Sequence, residues 1–450
     1  MLDKEIQSAV FGATLLNRRI SGGTALVPHL EETGVRSGAV QISWPTKAAA
    51  QKEANTLART TAREFETLSG NVLIQGDNLD ALKEIRRVGR QKYKLTLIDP
   101  PYNTGGGFIY DDDRSEAAWL SFLLPRLTVA RDVMTDDGLM MIFMDENSLP
   151  LLRMLCREVF GSNNDCGLLV WEKKRKPSFL QSQMGSVTDY IAVFAKNRKL
   201  APPLTMGVGK AGKRYPFNNR GNPRGVLSFP AGSVEFDLPD QAVPKGDMST
   251  PGVPCRLLDR VEIKGGRNAK AFRMEGEWRY SQASVDEFAG TGQTINISRL
   301  PFRPNLVKEV PTEKKINNLL SFRTNPDIPT NEDGLAEVTA LFGGQAVFDY
   351  PKPVGVLRYL IDAATTPGDA VLDFFAGTAS TGHAVAQAGG GREFTLVQDT
   401  APLPDTATGQ VAKKICAGQG LPAHLGSIAG ERLRRSGLSS ERDFQIVTLR

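Results

Sequence analysis

Between Asn71 and Asn197, short apolar runs alternate with longer amphipathic stretches, and no other feature restricts the fold as tightly. NVLIQGD reads as a strand ending at Gly76-Asp77, NLDALKEIRRVG as a helix, and YKLTLIDPPY as a strand stopped by prolines. Helices follow at Trp119–Met134 and Leu149–Phe160, with strands at GLMMIFMD, GLLVWE and DYIAVFAKN. After Phe348 the pattern resumes: VGVLRYLIDAAT is a helix, DAVLDFFAG a strand into a glycine turn, STGHAVAQAGG a helix and REFTLVQ a strand. Such alternation predicts an α/β chain built on a doubly wound, largely parallel sheet with helices on both faces. Residues 200–345 break it with Gly, Pro, Asn and Arg and turn signals such as NNRGNPRG, which reads as an inserted module of loops and short strands. The expected division is an arm at 1–45, one half of the α/β domain at 46–199, the module at 200–345 and the second half at 346–450. The Ala-, Glu- and Lys-rich stretch 46–68 reads as a polar helix.

Composition narrows the chemistry. No window approaches the ~18 apolar residues of a membrane helix, and the first twenty residues do not resemble a secretory leader. Four cysteines stand far apart without a CxxC pair, and three histidines form no ligand spacing, so neither a disulfide framework nor a metal centre is expected. A reducing, cytoplasmic compartment follows. The net charge of +5 hides an asymmetry: from Lys173 to Arg224 there are twelve Lys/Arg and a single acid, Asp189. A concentrated basic segment in an otherwise acidic chain suits a polyanion such as nucleic acid. A solvated basic face is the alternative.

Two motifs carry chemistry. Asp99-Pro100-Pro101-Tyr102 stands at the carboxyl end of the strand LTLI, where doubly wound sheets bind ligands. A carboxylate, a rigid main-chain carbonyl and an aromatic face there suit a planar group bearing an amine. A strand that simply ends in a Pro-Pro turn with a satisfied Asp is the plainer alternative. The second motif, Val371–Thr378 (VLDFFAGT), joins a strand to a helix through a small-residue turn. Its glycine admits close backbone approach, and the following helix start offers free N–H groups. It lacks the GxGxxG and P-loop residues of dinucleotide and triphosphate sites.

Together the motifs resemble those of amino-group DNA methyltransferases that use S-adenosylmethionine, in the β-class order: catalytic motif, recognition segment, cofactor motif. The resemblance is closest to modification subunits of type III restriction-modification systems. It runs through Asn71–Leu82, Ile98–Tyr110, Asp137–Asn147, Thr330–Leu341, Phe348–Pro353 and Asp373–Val385, and is weakest in 200–320. It implies a Rossmann-like methyltransferase domain with 200–345 as target-recognition module, double-stranded DNA as partner, and transfer to adenine N6 after base flipping. Further partners it suggests are a second copy of the chain and a restriction (helicase–nuclease) subunit. Cytosine-N4 methylation, methylation of RNA or a small molecule, and a catalytically silent DNA-binding regulator are the alternatives.

The resemblance assigns Asp99, Pro100, Pro101 and Tyr102 to catalysis. It assigns Asp77, Lys352, Pro353, Asp373, Phe375, Gly377 and Thr378 to the cofactor, and no residue to a metal. Lys352 could equally be a surface lysine. The basic residues Lys173, Lys174, Arg175, Lys176, Arg214, Arg220 and Arg224 form the expected DNA track. Two departures from the family pattern stand out: Ala379 replaces a usual glycine in FAGTASTG, and the chain is shorter than most type III modification subunits.

Overall fold

The seven apolar runs become seven strands of a nine-stranded sheet, seen in a computed structural model that describes residues 29–32, 40–89, 92–103, 114–177, 184–311, 313–440 and 442–450. In chain order the elements of the larger unit are β1 (Val72–Gln75), α1 (Asn78–Val88), β2 (Tyr93–Ile98), α2 (Glu116–Val133), β3 (Met134–Met144), α3 (Leu149–Phe160), β4 (Asp165–Glu172) and β5 (Thr188–Ala195). They continue as β6 (Leu319–Leu320), α4 (Asn331–Leu341), α5 (Val354–Ala364), β7 (Ala370–Asp373), α6 (Ser380–Ala388), β8 (Glu393–Gln398), α7 (Ala407–Gly418), α8 (Leu425–Arg435) and β9 (Gln445–Thr448). The strand order is β6-β4-β5-β3-β2-β7-β8-β1-β9. From β9 to β3 neighbouring strands run parallel, and β5 lies antiparallel between β3 and β4. Central strands β1, β2 and β7 are buried along their whole length, as expected when helices cover both faces.

β2 and β7 come from opposite ends of the chain yet pair directly, Val371 opposite Leu95 and Leu372 opposite Thr96. Both strands point the same way, so Asp99 and Asp373 emerge side by side at one sheet edge. Because β4 runs antiparallel to β5, its carboxyl end, and Lys173 after it, lies at that edge too.

Residues Pro203–Ile316 form a second compact unit. Among its described residues it holds a two-stranded, a four-stranded and a seven-stranded sheet and one helix, Gln282–Thr291, with a core that includes Phe217, Phe229, Phe236, Phe272 and Phe302. Residues 317–345, grouped with the module in the sequence reading, belong instead to the larger unit. β6 pairs with β4, Trp171 Nε1 donates to the Pro329 carbonyl at 2.9 Å, and Asn331 N donates to the Lys173 carbonyl at 2.8 Å. The helix expected over 46–68 is also shorter, Lys47–Glu53. Beyond it Arg59 N, Thr60 and Thr61 are drawn onto α1 by hydrogen bonds to Asp80 and Glu84. Within the arm, Ile42 and Trp44 are buried in the main core, and residues 1–28 and 33–39 lie outside the described residues.

Candidate active site

A cavity of about 650 Å³ opens at the shared edge of β2 and β7, lined by Asp99, Pro101, Asp373, Phe375, Gly377 and Thr378 among others. The residues directly after β2, Pro101 to Asn103, are held by visible contacts. Pro101 accepts from Trp119 Nε1 at 2.8 Å, and Tyr102 accepts from Ser148 Oγ at 2.7 Å, so two consecutive carbonyls are pinned by α2 and the start of α3. Asn103 adopts φ +60°, and its Oδ1 accepts from Arg114 N at 2.8 Å. The Thr104-Gly105 continuation of the motif lies outside the described residues.

Asp99 itself is half committed. Its Oδ2 accepts from Lys352 Nζ at 2.6 Å, while Oδ1 is buried with no hydrogen-bond partner among the described residues. Buried polar atoms are rarely left unpaired, and such an orphan marks a place where a ligand can bind. Lys352, given to the cofactor in the sequence reading, therefore spends its ammonium on Asp99, although it also lines the cavity. It is 9% exposed, which removes the surface-lysine alternative. Its placement depends on Gly334 in α4: a Cβ there would lie 2.5 Å from the Pro351 carbonyl and 2.9 Å from Pro353 N. Glu337 Oε2 then accepts from Val354 N at 3.0 Å, fixing the start of α5 just after Pro353.

The β7 turn is built around Asp373. Its carboxylate accepts from Phe375 N at 2.9 Å and Thr381 Oγ1 at 2.6 Å. Burial pushes its pKa up to about 7 despite those bonds, and Asp99 adds to the rise. Gly377 takes φ +55° and donates its N–H to Gln398 Oε1 at 2.7 Å. Ala379 follows with φ +66°, a left-handed conformation that an L side chain adopts only at a cost. Its methyl group is fully buried without closing the cavity. Beneath the turn the buried Arg432 donates from Nη1 to Thr378 Oγ1 (2.8 Å) and Ser380 Oγ (2.6 Å), its pKa lowered to about 10 by burial.

Asp77 also lines the cavity, but its first task is local. Oδ1 caps α1 by accepting from Leu79 N and Asp80 N, and Oδ2 accepts from Arg126 Nη2 at 3.0 Å. Arg126 and Arg114 both lie over the Phe122 ring, 3.8 and 4.4 Å from its centroid, with Phe375 at 5.9 Å. Asn78, Arg114, Phe122, Arg126, Phe348 and Asp399 line the cavity without having been singled out as site residues from sequence. Asp399, directly after β8, was the one with a visible signal, an acid at a strand end.

The expected DNA track divides. Lys173 is not a free cation: its Nζ lies 2.5 Å from Asp189 Oδ1, and Asp189 is 2% exposed. Arg175 is exposed and pairs with Asp333, while Lys174 and Lys176 have no ion-pair partner among the described residues. In the smaller unit Arg214 pairs with Asp237 and Arg224 with Glu275, all on the surface. Arg220 is exposed beside a shallow bowl formed with Ser249, Thr250 and Glu277. Exposed pairs of this kind are worth about 0–1 kcal/mol and leave the arginines able to exchange a carboxylate for a phosphate.

A doubly wound sheet whose two adjacent strand ends carry an Asp-Pro-Pro-Tyr turn and an Asp-Phe-Phe-Ala-Gly turn on one cavity is the arrangement that the resemblance to amino-group methyltransferases implied. The chain belongs to the DNA methylase family, whose model matches residues 93–394. It is 28% identical over 388 residues to the type III restriction-modification enzyme StyLTI Mod subunit of Salmonella typhimurium, covering 76% of this chain and 54% of that protein. Against the EcoPI Mod subunit of Escherichia phage P1 the identity is 27% over 426 residues, covering 79% and 63%. Against the type II methyltransferase M.KpnI of Klebsiella pneumoniae it is 26% over 369 residues, covering 76% and 83%. The chain thus spans between half and two thirds of the length of the two Mod subunits.

The family's cofactor is S-adenosylmethionine, and the residues around the cavity fit it. Asp77, Asp373 and Asp399 offer carboxylates to a group carrying a sulfonium and an ammonium, and Phe348, Phe375 and Leu403 offer apolar walls. Gly377 gives close access to the backbone, since a Cβ built there meets nothing nearer than Phe348 Cζ at 3.7 Å.

Proposed function

We propose that this protein methylates the exocyclic N6 amine of adenine in double-stranded DNA at a specific sequence. One observation carries the reading: Asp99 presents a buried carboxylate oxygen, without a partner among the described residues, on the same cavity as the Asp373 turn. S-adenosylmethionine supplies an electrophilic methyl group when bound against Asp373, Phe375, Gly377 and Thr378. Everything else falls to the chain's own residues.

An amine stacked inside a duplex cannot reach that cavity, so the nucleotide leaves the helix. Asp99 Oδ1 and the Pro100 carbonyl accept the two amine N–H groups and draw the nitrogen towards tetrahedral geometry, freeing its lone pair. Tyr102 stacks on the extruded base, a contact worth ~1–3 kcal/mol in single-stranded sites. With the two groups held in line, positioning and electrostatics supply most of the rate. Lys174, Arg175 and Lys176, at the sheet edge that carries Asp99, bind phosphates, as do Arg214, Arg220 and Arg224 on the recognition unit. Base-edge contacts from that unit set the sequence. The aspartate form of the motif favours adenine, since cytosine-N4 enzymes often carry serine at the position of Asp99. A second copy of the chain and a restriction subunit are the partners in keeping with the Mod-subunit relatives, and action on DNA places the protein in the cytoplasm.

Asp99→Ala tests this. Methyl transfer to DNA from tritiated S-adenosylmethionine should fall by at least about 10²-fold while cofactor affinity stays nearly unchanged. Nuclease digestion and mass spectrometry of the product should show N6-methyladenine. Near-normal turnover in the variant, or N4-methylcytosine in the product, would overturn the assignment.

A further inference from the structure

The cation on Asp99 belongs to a larger arrangement. Lys352 Nζ contacts Asp99 Oδ2 at 2.6 Å and lies 5.1 Å from the ring centroid of Tyr102 and 5.3 Å from that of Phe143. Asp189 stands nearby on β5 and takes Lys173 at 2.5 Å. Burial pushes the Asp189 carboxyl up, Lys173 and Lys352 pull it back, and Asp99 adds to the rise. Two carboxylates and two ammoniums therefore stand here as two contact pairs, Lys173–Asp189 and Lys352–Asp99. An unpaired ion at the buried Asp189 or Lys352 would be strongly unfavourable, and pairing offsets that cost.

We propose that Lys352 is a positioning residue for methyl transfer. It occupies Asp99 Oδ2 and leaves Oδ1 as the one carboxylate oxygen for the target amine. This rests on the reading of Asp99 as the amine's acceptor. A carboxylate free to turn about its Cβ–Cγ bond offers two oxygens in many directions. With one oxygen pinned, the other has a single direction, which is what in-line attack needs. The ring faces of Tyr102 and Phe143 and the close seat of Pro351–Pro353 on Gly334 keep the ammonium from leaving.

The test uses the full chain, bulk DNA from a host without adenine methylation, and calorimetric titration with S-adenosylmethionine alone. Lys352→Met should lower kcat by about 10²-fold with little change in cofactor affinity, and Lys352→Arg should recover most of the loss. Urea midpoints give a readout independent of activity: Lys352→Met and Asp99→Asn combined should shift the midpoint by less than the sum of the two. Wild-type kcat in Lys352→Met, or additive midpoints, would overturn the proposal. So would loss of cofactor affinity in Lys352→Met with kcat intact, which would make Lys352 a cofactor ligand. If the unaltered protein methylates no DNA, the proposed function fails instead, and the midpoints still decide whether Lys352 and Asp99 act together.

Discussion

Asn78, the first residue of α1, donates its side-chain amide to the Phe374 carbonyl at 2.8 Å across 296 residues of sequence. Its Oδ1 accepts from Arg126 Nε at 2.5 Å, so one amide joins the α1 start, the α2 helix and the turn after β7. Asn78→Ala takes the donor from that carbonyl and leaves a nine-tenths buried guanidinium short of a partner. The expected loss is about 1–3 kcal/mol in urea unfolding. Weaker S-adenosylmethionine binding should accompany it, because Phe375 and Gly377 follow directly. Unchanged stability and affinity would mean the bridge is incidental.

Asp373 ties stability and cofactor binding to pH. Its ordinary pKa is 3.8 and the folded value is about 7. Between those values the folded protein keeps a proton that the unfolded chain has lost, so this group's contribution is complete below about pH 4 and fades as pH rises through 7. The loss is on the order of 4 kcal/mol. A cationic ligand favours the ionised form, so S-adenosylmethionine affinity should rise from pH 6 to pH 8. Asp373→Asn should flatten both trends relative to wild type and weaken binding. Parallel pH profiles for the two proteins would take Asp373 out of the site.

Ala379 stores strain in the turn. A left-handed residue with a Cβ costs roughly 1–2 kcal/mol relative to glycine, part of which glycine gives back through its freer unfolded chain. Ala379→Gly should therefore stabilise the fold by about 1 kcal/mol, read as a raised thermal midpoint. A lowered midpoint would show that the buried methyl group contributes packing that outweighs the strain.

Lys173 and its neighbours should separate in DNA binding. Reversing Lys174 and Lys176 to glutamate should weaken binding to all sequences alike. The slope of log K against log salt should become shallower by about 0.9 for each phosphate that is no longer neutralised. Lys173→Glu should instead unfold or destabilise the protein, since it faces a carboxylate buried to 2% exposure. Unaltered affinity of the first variant at low salt would move the track elsewhere.

Much of the chain is legible locally. Apolar runs of four to six residues stopped by Gly76-Asp77, by Pro100-Pro101 and by the turn at Gly377 mark strands because their neighbours supply the stop. Local chemistry also dictates the Asp77 cap and the glycine turn after Asp373. The end of the smaller unit is not local. β6 is two residues long, and Gly334 matters only because the backbone of Pro351–Pro353 comes to rest against it.

Residue order determined seven of the nine strands, the two motifs and the sign of the charge after β4, because each depends on neighbours within a turn or a strand. The tertiary structure alone decided which charge meets which. Asp189 is visible as the single acid in a basic stretch, yet only the antiparallel pairing of β4 with β5 sets it beside Lys173. Lys352 reads as a cofactor residue until the packing of α4 and α5 carries it 253 positions back to Asp99. Long charged side chains leave no trace of their partners in spacing, since the pairing energy exists only where both have left water together.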